Sequence, residues 1–210
     1  MSKLFFKFGA MGSSKTAYAL LTRFNYLEKN HSVWLIKPQT DTRDDYTDES
    51  GKIVTVVKSR IGLEAPANVI KDNADITELF KTASADIVIN DTVVKTQKID
   101  VIICDECQFF TEDQIDQLKY IAENENVPVI CFGLRSDFRT KLFPGSKRLF
   151  EIADSITEVK SICECGKKAI VNARFDGNGN IVTDGAQVEI GGNEKYKSMC
   201  WSCWQKLINK

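Results

Sequence analysis

FGAMGSSKT, residues 8–16, places Gly9, Lys15 and Thr16 at the spacing of a phosphate-binding loop, G-x-x-x-x-G-K-[ST]. Backbone N–H groups in such a loop, with the N-terminus of the helix it opens, make an anion cradle. The lysine neutralises outer phosphates and the threonine hydroxyl suits magnesium. The second glycine of the pattern is replaced by Ser14. If that position needs a positive φ, serine costs about 1–2 kcal/mol there, and Gly12 is the neighbour that can supply flexibility. No N–H donor is lost, because residues 9–16 contain no proline.

A second set lies in IDVIICDE, residues 99–106, where an apolar run ends in Asp105 and Glu106. An aspartate at a strand tip can support a metal shell, and the next carboxylate can face the reacting centre. The plain alternative is a solvated acidic turn. The third set is two cysteine pairs, Cys163-x-Cys165 and Cys200-x-x-Cys203, around a β-rich insert. They read as a four-cysteine zinc site, although the first spacing is tight and the insert is long for a zinc ribbon. Four thiolates leave no open position, so the metal's role is structural, and so short a segment needs it to fold. Buried or redox cysteines are the alternative. Cys104, Cys107 and Cys131 sit in or beside apolar runs and read as buried small hydrophobes in a reducing compartment. The single histidine, His31, stands in the polar turn EKNHS, which leaves almost no room for histidine acid–base chemistry.

The elements that must position these residues follow from periodicity. Residues 4–9 read as a strand that ends at the loop. Ala17, Leu20, Leu21, Phe24 and Leu27 recur at helical spacing up to Lys29 and Asn30. Residues 32–38 form a strand closed by Pro38, and 39–51 a long polar loop. Runs at 53–57 and 86–90 look like strands around a helical stretch near 67–83. Residues 99–106 are a buried strand, 111–125 an amphipathic helix, 127–134 a strand, 135–146 a mobile-looking loop and 147–155 a short helix. β-like runs at 169–175 and 186–190 flank the turn-rich DGNGN. Strands alternating with helices indicate an α/β fold with a mainly parallel sheet and flanking helices, of P-loop NTPase type, over residues 1–158. A small β-rich zinc-binding region occupies 159–210.

The 210 residues suffice for one domain and a small appendage. With 28 basic and 29 acidic residues the formal charge is -1, a poor platform for a polyanion, so nucleic acid is not an expected partner. No apolar run is long enough for a membrane span, and MSKLFFKFGAMG has no secretory pattern, so a cytoplasmic location is expected.

The motifs, in order, resemble the zinc-containing, cytosolic (type II) thymidine kinase family. The matching stretches are GAMGSSKT, KPQTDTR at 37–43, DECQFF at 105–110, GLRSDF at 133–138, ICECGKKA at 162–169 and IGGNEKYKSMC at 190–200. Ser14 departs from the family's glycine, and residues 63–98 carry no family motif. The resemblance implies transfer of the ATP γ-phosphate to the 5′-hydroxyl of thymidine, and of deoxyuridine, in nucleotide salvage. It makes Glu106 the general base, a role open to a carboxylate where no histidine is available. It assigns ATP and phosphate binding to Gly9, Ala10, Met11, Gly12, Ser13, Ser14, Lys15 and Thr16, and to Asp105, Glu106, Cys107 and Gln108. It gives magnesium to Thr16, Asp41 and Asp105, and makes Arg43 a clamp on the transferring phosphoryl group. The base would lie among Met11, Phe109, Leu134, Phe138 and Phe143, with 135–146 as a lid. A lasso including Gln187, Val188, Glu189, Ile190, Gly191 and Tyr196 would read thymine largely through its main chain. Zinc would be held by Cys163, Cys165, Cys200 and Cys203. Feedback inhibition by dTTP and a homotetramer are also implied.

A P-loop ATPase with a nucleic-acid-binding zinc ribbon shares the loop and acid pair, and Ser14 leaves room for a non-catalytic relative. Near-zero charge and the phenylalanine-rich loop disfavour the ATPase.

Overall fold

Apolar runs closed by glycine, proline or an acid become strands buried on both faces, which is what a parallel sheet between two helical layers requires. The computed structural model describes residues 2–42, 44–51, 53–187 and 195–209. Its main sheet contains β1 (Leu4–Gly9), β2 (Val33–Pro38), β3 (Asn68–Ile70), β4 (Ala85–Ile89), β5 (Thr92–Thr96), β6 (Val101–Cys104), β7 (Val129–Leu134) and β8 (Ser155–Glu158). The order is β8-β1-β7-β6-β2-β4-β5, with β3 also paired to β2. Strands β8, β1, β7, β6, β2 and β3 run parallel. The β4–β5 hairpin joins β2 antiparallel at Val33 and Asp86.

Alternation along each strand divides the core in two. Helix α1 (Lys15–Leu27) places Ala19, Leu20 and Leu27 against Leu35, Val101, Ile103, Ile130 and Phe132. On the other face α2 (Ile76–Thr82), α3 (Glu112–Asn124) and α4 (Pro144–Ile152) bring Ile76, Ile115, Leu118, Ile121 and Leu149 onto Leu4, Phe6, Ile36, Ile102 and Val129. Local signals fix the helix starts. Asp75 caps α2, Thr111 and Gln114 form a capping box on α3, and Pro144 occupies the first turn of α4.

Three expectations are corrected. The helix sought near 67–83 is confined to Ile76–Thr82, because residues 68–70 pair instead with Ile36–Pro38 of β2, beyond its bridge to β4. The polar loop 39–51 contains Tyr46–Thr47, paired with Ile53–Val54, and a second hairpin joins Val56–Lys58 to Glu64–Pro66. The helix expected at 147–155 begins at Pro144 and stops at Ile152, and the residues after it add a strand beside β1.

Beyond Glu158 the chain leaves the main sheet. β9 (Val171–Phe175), β10 (Ile181–Val182) and β11 (Tyr196–Met199) form an antiparallel sheet in the order β10-β9-β11. Helix α5 (Trp201–Ile208), which no periodicity argument anticipated, covers it through Trp204 on Val171 and Ala173. Of the expected strand at 186–190, residues 186 and 187 lie in no strand and the rest are outside the described residues.

Candidate active site

The phosphate loop leaves β1 at Gly9, where a Cβ would collide with Ser13 Oγ and the Val159 carbonyl. Gly12 has φ 73° and Ser14 φ 63°, so both take left-handed backbone. Gly12 therefore does not relieve Ser14, and the serine bears the strain of about 1–2 kcal/mol itself. Ser14 caps α1 without a side-chain bond, leaving its hydroxyl out of the cap. Lys15 is buried, its Nζ donating to the Ala10 carbonyl at 2.9 Å and to Ser13 Oγ at 3.3 Å.

The acid pair stands two strands away, at the same edge, past the end of β6. Asp105 is buried, and the Thr16 side chain is close enough to act on its carboxyl. Burial, then the neighbouring Glu106 charge, raises its carboxyl to about 7, against the lowering effect of Thr16 and Lys15. A bound cation would reverse that balance. Glu106 has φ 51° and turns its half-buried carboxylate into the cleft. Gln108, 1% exposed, donates from Nε2 to Glu106 Oε2 and accepts the Leu134 N–H at 2.9 Å. Its amide thereby ties the acid to the tip of β7. Cys107, expected among the phosphate-binding residues, is instead fully buried in the core. The 3-10 turn Cys107–Phe109 directs its thiol inward, toward Gly133.

The loop and Glu106 open onto one cleft of about 720 Å³. Its lining includes Met11, Phe109, Leu134, Phe138, Phe143, Gln187 and Tyr196. Phe109 and Phe143 meet edge-on, with ring centroids 5.6 Å apart. Phe138 is packed beneath the Arg174 guanidinium, 3.9 Å from its ring centroid. Loop 135–146, which looked mobile from its polarity, is internally bonded. The Asp137 carboxylate accepts the N–H groups of Arg139 and Lys141 and the Arg139 guanidinium, tying the loop to itself, and accepts Gln187 Nε2, tying it to the C-terminal region.

Asp41 also lines the cleft, 3.7 Å from the fully buried Lys37 ammonium. That lysine bonds more closely to Asp45, at 2.8 Å, and to the Val56 carbonyl, at 3.0 Å. The oxygens of Thr16, Asp41 and Asp105 are the donor type magnesium prefers. Arg43, Val188, Glu189, Ile190 and Gly191 lie outside the described residues. Arg60 and Asn172 are among the lining residues that no motif in the sequence marked. Arg60 sits in the turn of hairpin 56–66, where Ser59 bonds to Leu63 and Gly62 has φ 84°. Its guanidinium lies 3.5 Å from where a Gly12 Cβ would be, over the phosphate loop. Asn172, on β9, accepts the Met11 N–H at 2.7 Å. Neither has a motif spacing; only chain folding brings them in.

The Sγ atoms of Cys163, Cys165, Cys200 and Cys203 lie within 4.8 Å of one another. A zinc–sulfur bond of about 2.3 Å implies tetrahedral S–S distances of about 3.8 Å, so the four fit zinc. Backbone N–H groups of Cys165 and Cys200 lower the Cys163 thiol to about 7, toward the thiolate a metal needs. Cys163 and Cys200 also pack against Ala10 of the phosphate loop.

The sequence is similar to known proteins over its length. The thymidine kinase family model matches residues 2–204. The thymidine kinase of Enterobacteria phage T4 is 41% identical, covering 100% of this chain and 99% of its own length. That of Rhizobium meliloti is 39% identical with 100% of both covered, and that of Photorhabdus laumondii 38% with 100% and 96% covered. A match of this extent, on a chain whose phosphate loop and Glu106 open onto one cleft and whose four cysteines converge behind that loop, places it in the thymidine kinase family.

Proposed function

We propose that this protein is an ATP-dependent thymidine kinase of nucleotide salvage, transferring the γ-phosphoryl group to the 5′-hydroxyl of thymidine and of deoxyuridine to give the monophosphate. The observation that carries this reading is the shared cleft: a Glu106 carboxylate oriented by Gln108 opens onto the same space as Lys15, Thr16 and an aromatic wall. Glu106 takes the proton of the attacking hydroxyl, the role left to a carboxylate here. Backbone N–H groups of residues 9–16 and the start of α1 hold the phosphates of ATP. Lys15, Arg60 and Arg43 offset the charge that spreads over the transferring oxygens. Thr16, Asp105 and Asp41 would hold magnesium, which would neutralise charge on the phosphate groups. Phe109 and Phe143 with Met11, Leu134 and Phe138 hold the base. The chain from Gln187 to Tyr196 reads its edge, where an unmatched donor or acceptor would stay buried and unpaired.

Residues 1–158 form the kinase domain in this reading, and 159–210 the lasso domain, its four cysteines holding structural zinc. dTTP would compete for the nucleoside site. A homotetramer is supported by the outer face of α1, where Tyr18, Leu21 and Phe24 are exposed. No described helix is long and apolar enough to cross a membrane; a cytoplasmic location is proposed.

The test is incubation with ATP, magnesium and each nucleoside in turn. Thymidine monophosphate is expected well above a Glu106→Ala control; none above that control would sink the proposal. Salt-sensitive binding of single-stranded DNA would revive the ATPase reading.

A further inference from the structure

Asn172 belongs to β9, outside the main sheet, yet its side chain enters the cleft while the residue is 2% exposed. Both ends of its amide are used. Oδ1 accepts the Met11 N–H at 2.7 Å, and Nδ2 donates to the Ser136 carbonyl at 2.8 Å. The opposite amide orientation would set donor against donor and acceptor against acceptor, so the two backbone groups define this one. Met11 lies inside the phosphate loop. Ser136 lies between Leu134 and Phe138 on the wall of the nucleoside pocket. One side chain therefore spans the two halves of the cleft.

Its support is rigid. Asn172 pairs with Ser198 of β11, and the next residue back, Val171, pairs with Met199 beside the cysteine cluster. Arg135 Nη2 reaches the Ile170 carbonyl at 3.3 Å, a second tie between the wall and β9. Ala10 rests on Cys163, Ala169 and Cys200. The phosphate loop is thus held from behind by apolar packing and from the cleft side by the amide.

We propose that Asn172 is a positioning residue for phosphoryl transfer, fixing the separation between the phosphate loop and the nucleoside wall. The proposal rests on the thymidine kinase reading of the cleft. In-line transfer needs donor phosphorus and acceptor oxygen in near-attack geometry, and small displacements lower the rate steeply. Asn172 touches neither reacting atom. It acts through Met11 and Ser136, which makes the cysteine-bearing region part of the catalytic assembly.

Steady-state kinetics of Asn172→Ala and Asn172→Ser, with zinc content and thermal melts alongside, test this. Alanine removes both bonds. Serine keeps a hydroxyl and leaves room for water, so it is the variant better able to fold. With zinc content and melting transition preserved, Asn172→Ala is expected to lose about tenfold or more in kcat at saturating ATP and thymidine, with Asn172→Ser falling between it and wild type. Folded variants with kcat within about twofold of wild type would overturn the inference and leave the thymidine kinase reading intact. If neither variant folds with zinc bound, Asn172 is a folding residue and the inference falls. A wild-type protein that transfers nothing to thymidine would overturn the underlying reading instead.

Discussion

The parallel-sheet region and the cysteine-bearing region face the same cleft but are held together by different means. The first has helices on both faces and two extended apolar clusters. On that footing it carries unfavourable features: left-handed backbone at Ser14 and Glu106, a buried Lys15, and a buried Asp105. The second has a small apolar cluster around Val171, Ala173 and Trp204, and four converging thiols. It places Asn172 and Tyr196 in the cleft without comparable strain at either residue. Strain of this kind persists where surrounding structure over-determines it. In the proposed reading this is a division: reacting groups on the element with the large core, recognition and alignment on the element where four thiols converge.

Removing zinc is the strongest way to break that comparison. Structural zinc contributes on the order of 10 kcal/mol to a small site. A chelator, or Cys200→Ser, should therefore unfold the region beyond Glu158 and abolish thymidine phosphorylation. The Trp201–Trp204 pair, with centroids 4.9 Å apart, provides a near-UV signal that should vanish while the helical far-UV signal largely stays. A single melting transition in which both regions go together would refute the division.

Glu106→Gln comes next. It should lower kcat by about 10²–10⁴-fold with little change in the KM for thymidine, the result expected when a general base is lost. An effect mainly on KM would move Glu106 from chemistry to binding.

Asp105 gives a smaller effect, read in pH. Its folded-state carboxyl lies at about 7, above the ordinary 3.8. Between those values the folded protein holds a proton that the unfolded chain has released, so magnesium-free stability should fall as pH rises from about 4 to 7. Asp105→Asn should flatten that part of the stability profile. Magnesium must displace the proton, so its apparent affinity should weaken below about pH 7, measurable by titration calorimetry. A pH-independent magnesium affinity over that window would contradict the assignment.

The smallest effect is expected at Ser14. Ser14→Gly relieves about 1–2 kcal/mol of backbone strain and should raise the melting temperature by a few degrees. Activity should be kept, or the KM for ATP lowered. A large loss of activity would mean that the serine hydroxyl itself contacts the nucleotide.

Much of the parallel-sheet region was legible from local pattern. Leu4–Gly9, Val33–Pro38 and Glu112–Asn124 fall close to the elements their periodicity and end signals indicate. Legibility failed where tertiary pairing outweighed local preference. Asn68–Ile70 looked helical in context, but the edge of β2 had backbone groups to satisfy. Loop 135–146 looked mobile by polarity, yet Asp137 gathers that polarity into one bonded turn. Helix α5 was hidden by the cysteines and tryptophans of SMCWSCW, which suggest a metal knuckle before they suggest a helix. Cys107 carried two readings, a buried small hydrophobe by its apolar surroundings and a phosphate-site residue by its motif, and the inward 3-10 turn decides for the first.

By itself the amino-acid sequence determined the chemical groups, their order along the chain and the strand–loop–helix context of Gly9, Lys15 and Thr16. Those features are local: a few residues, their spacing and the backbone they favour suffice to specify them. The tertiary structure alone decided that Gln108 would hold Glu106, that Arg60 would lie over Gly12, and that Asn172 would join Met11 to Ser136. Met11 and Asn172 are distant in sequence, and their meeting depends on how a parallel sheet and a cysteine-fastened sheet pack, which no local spacing encodes.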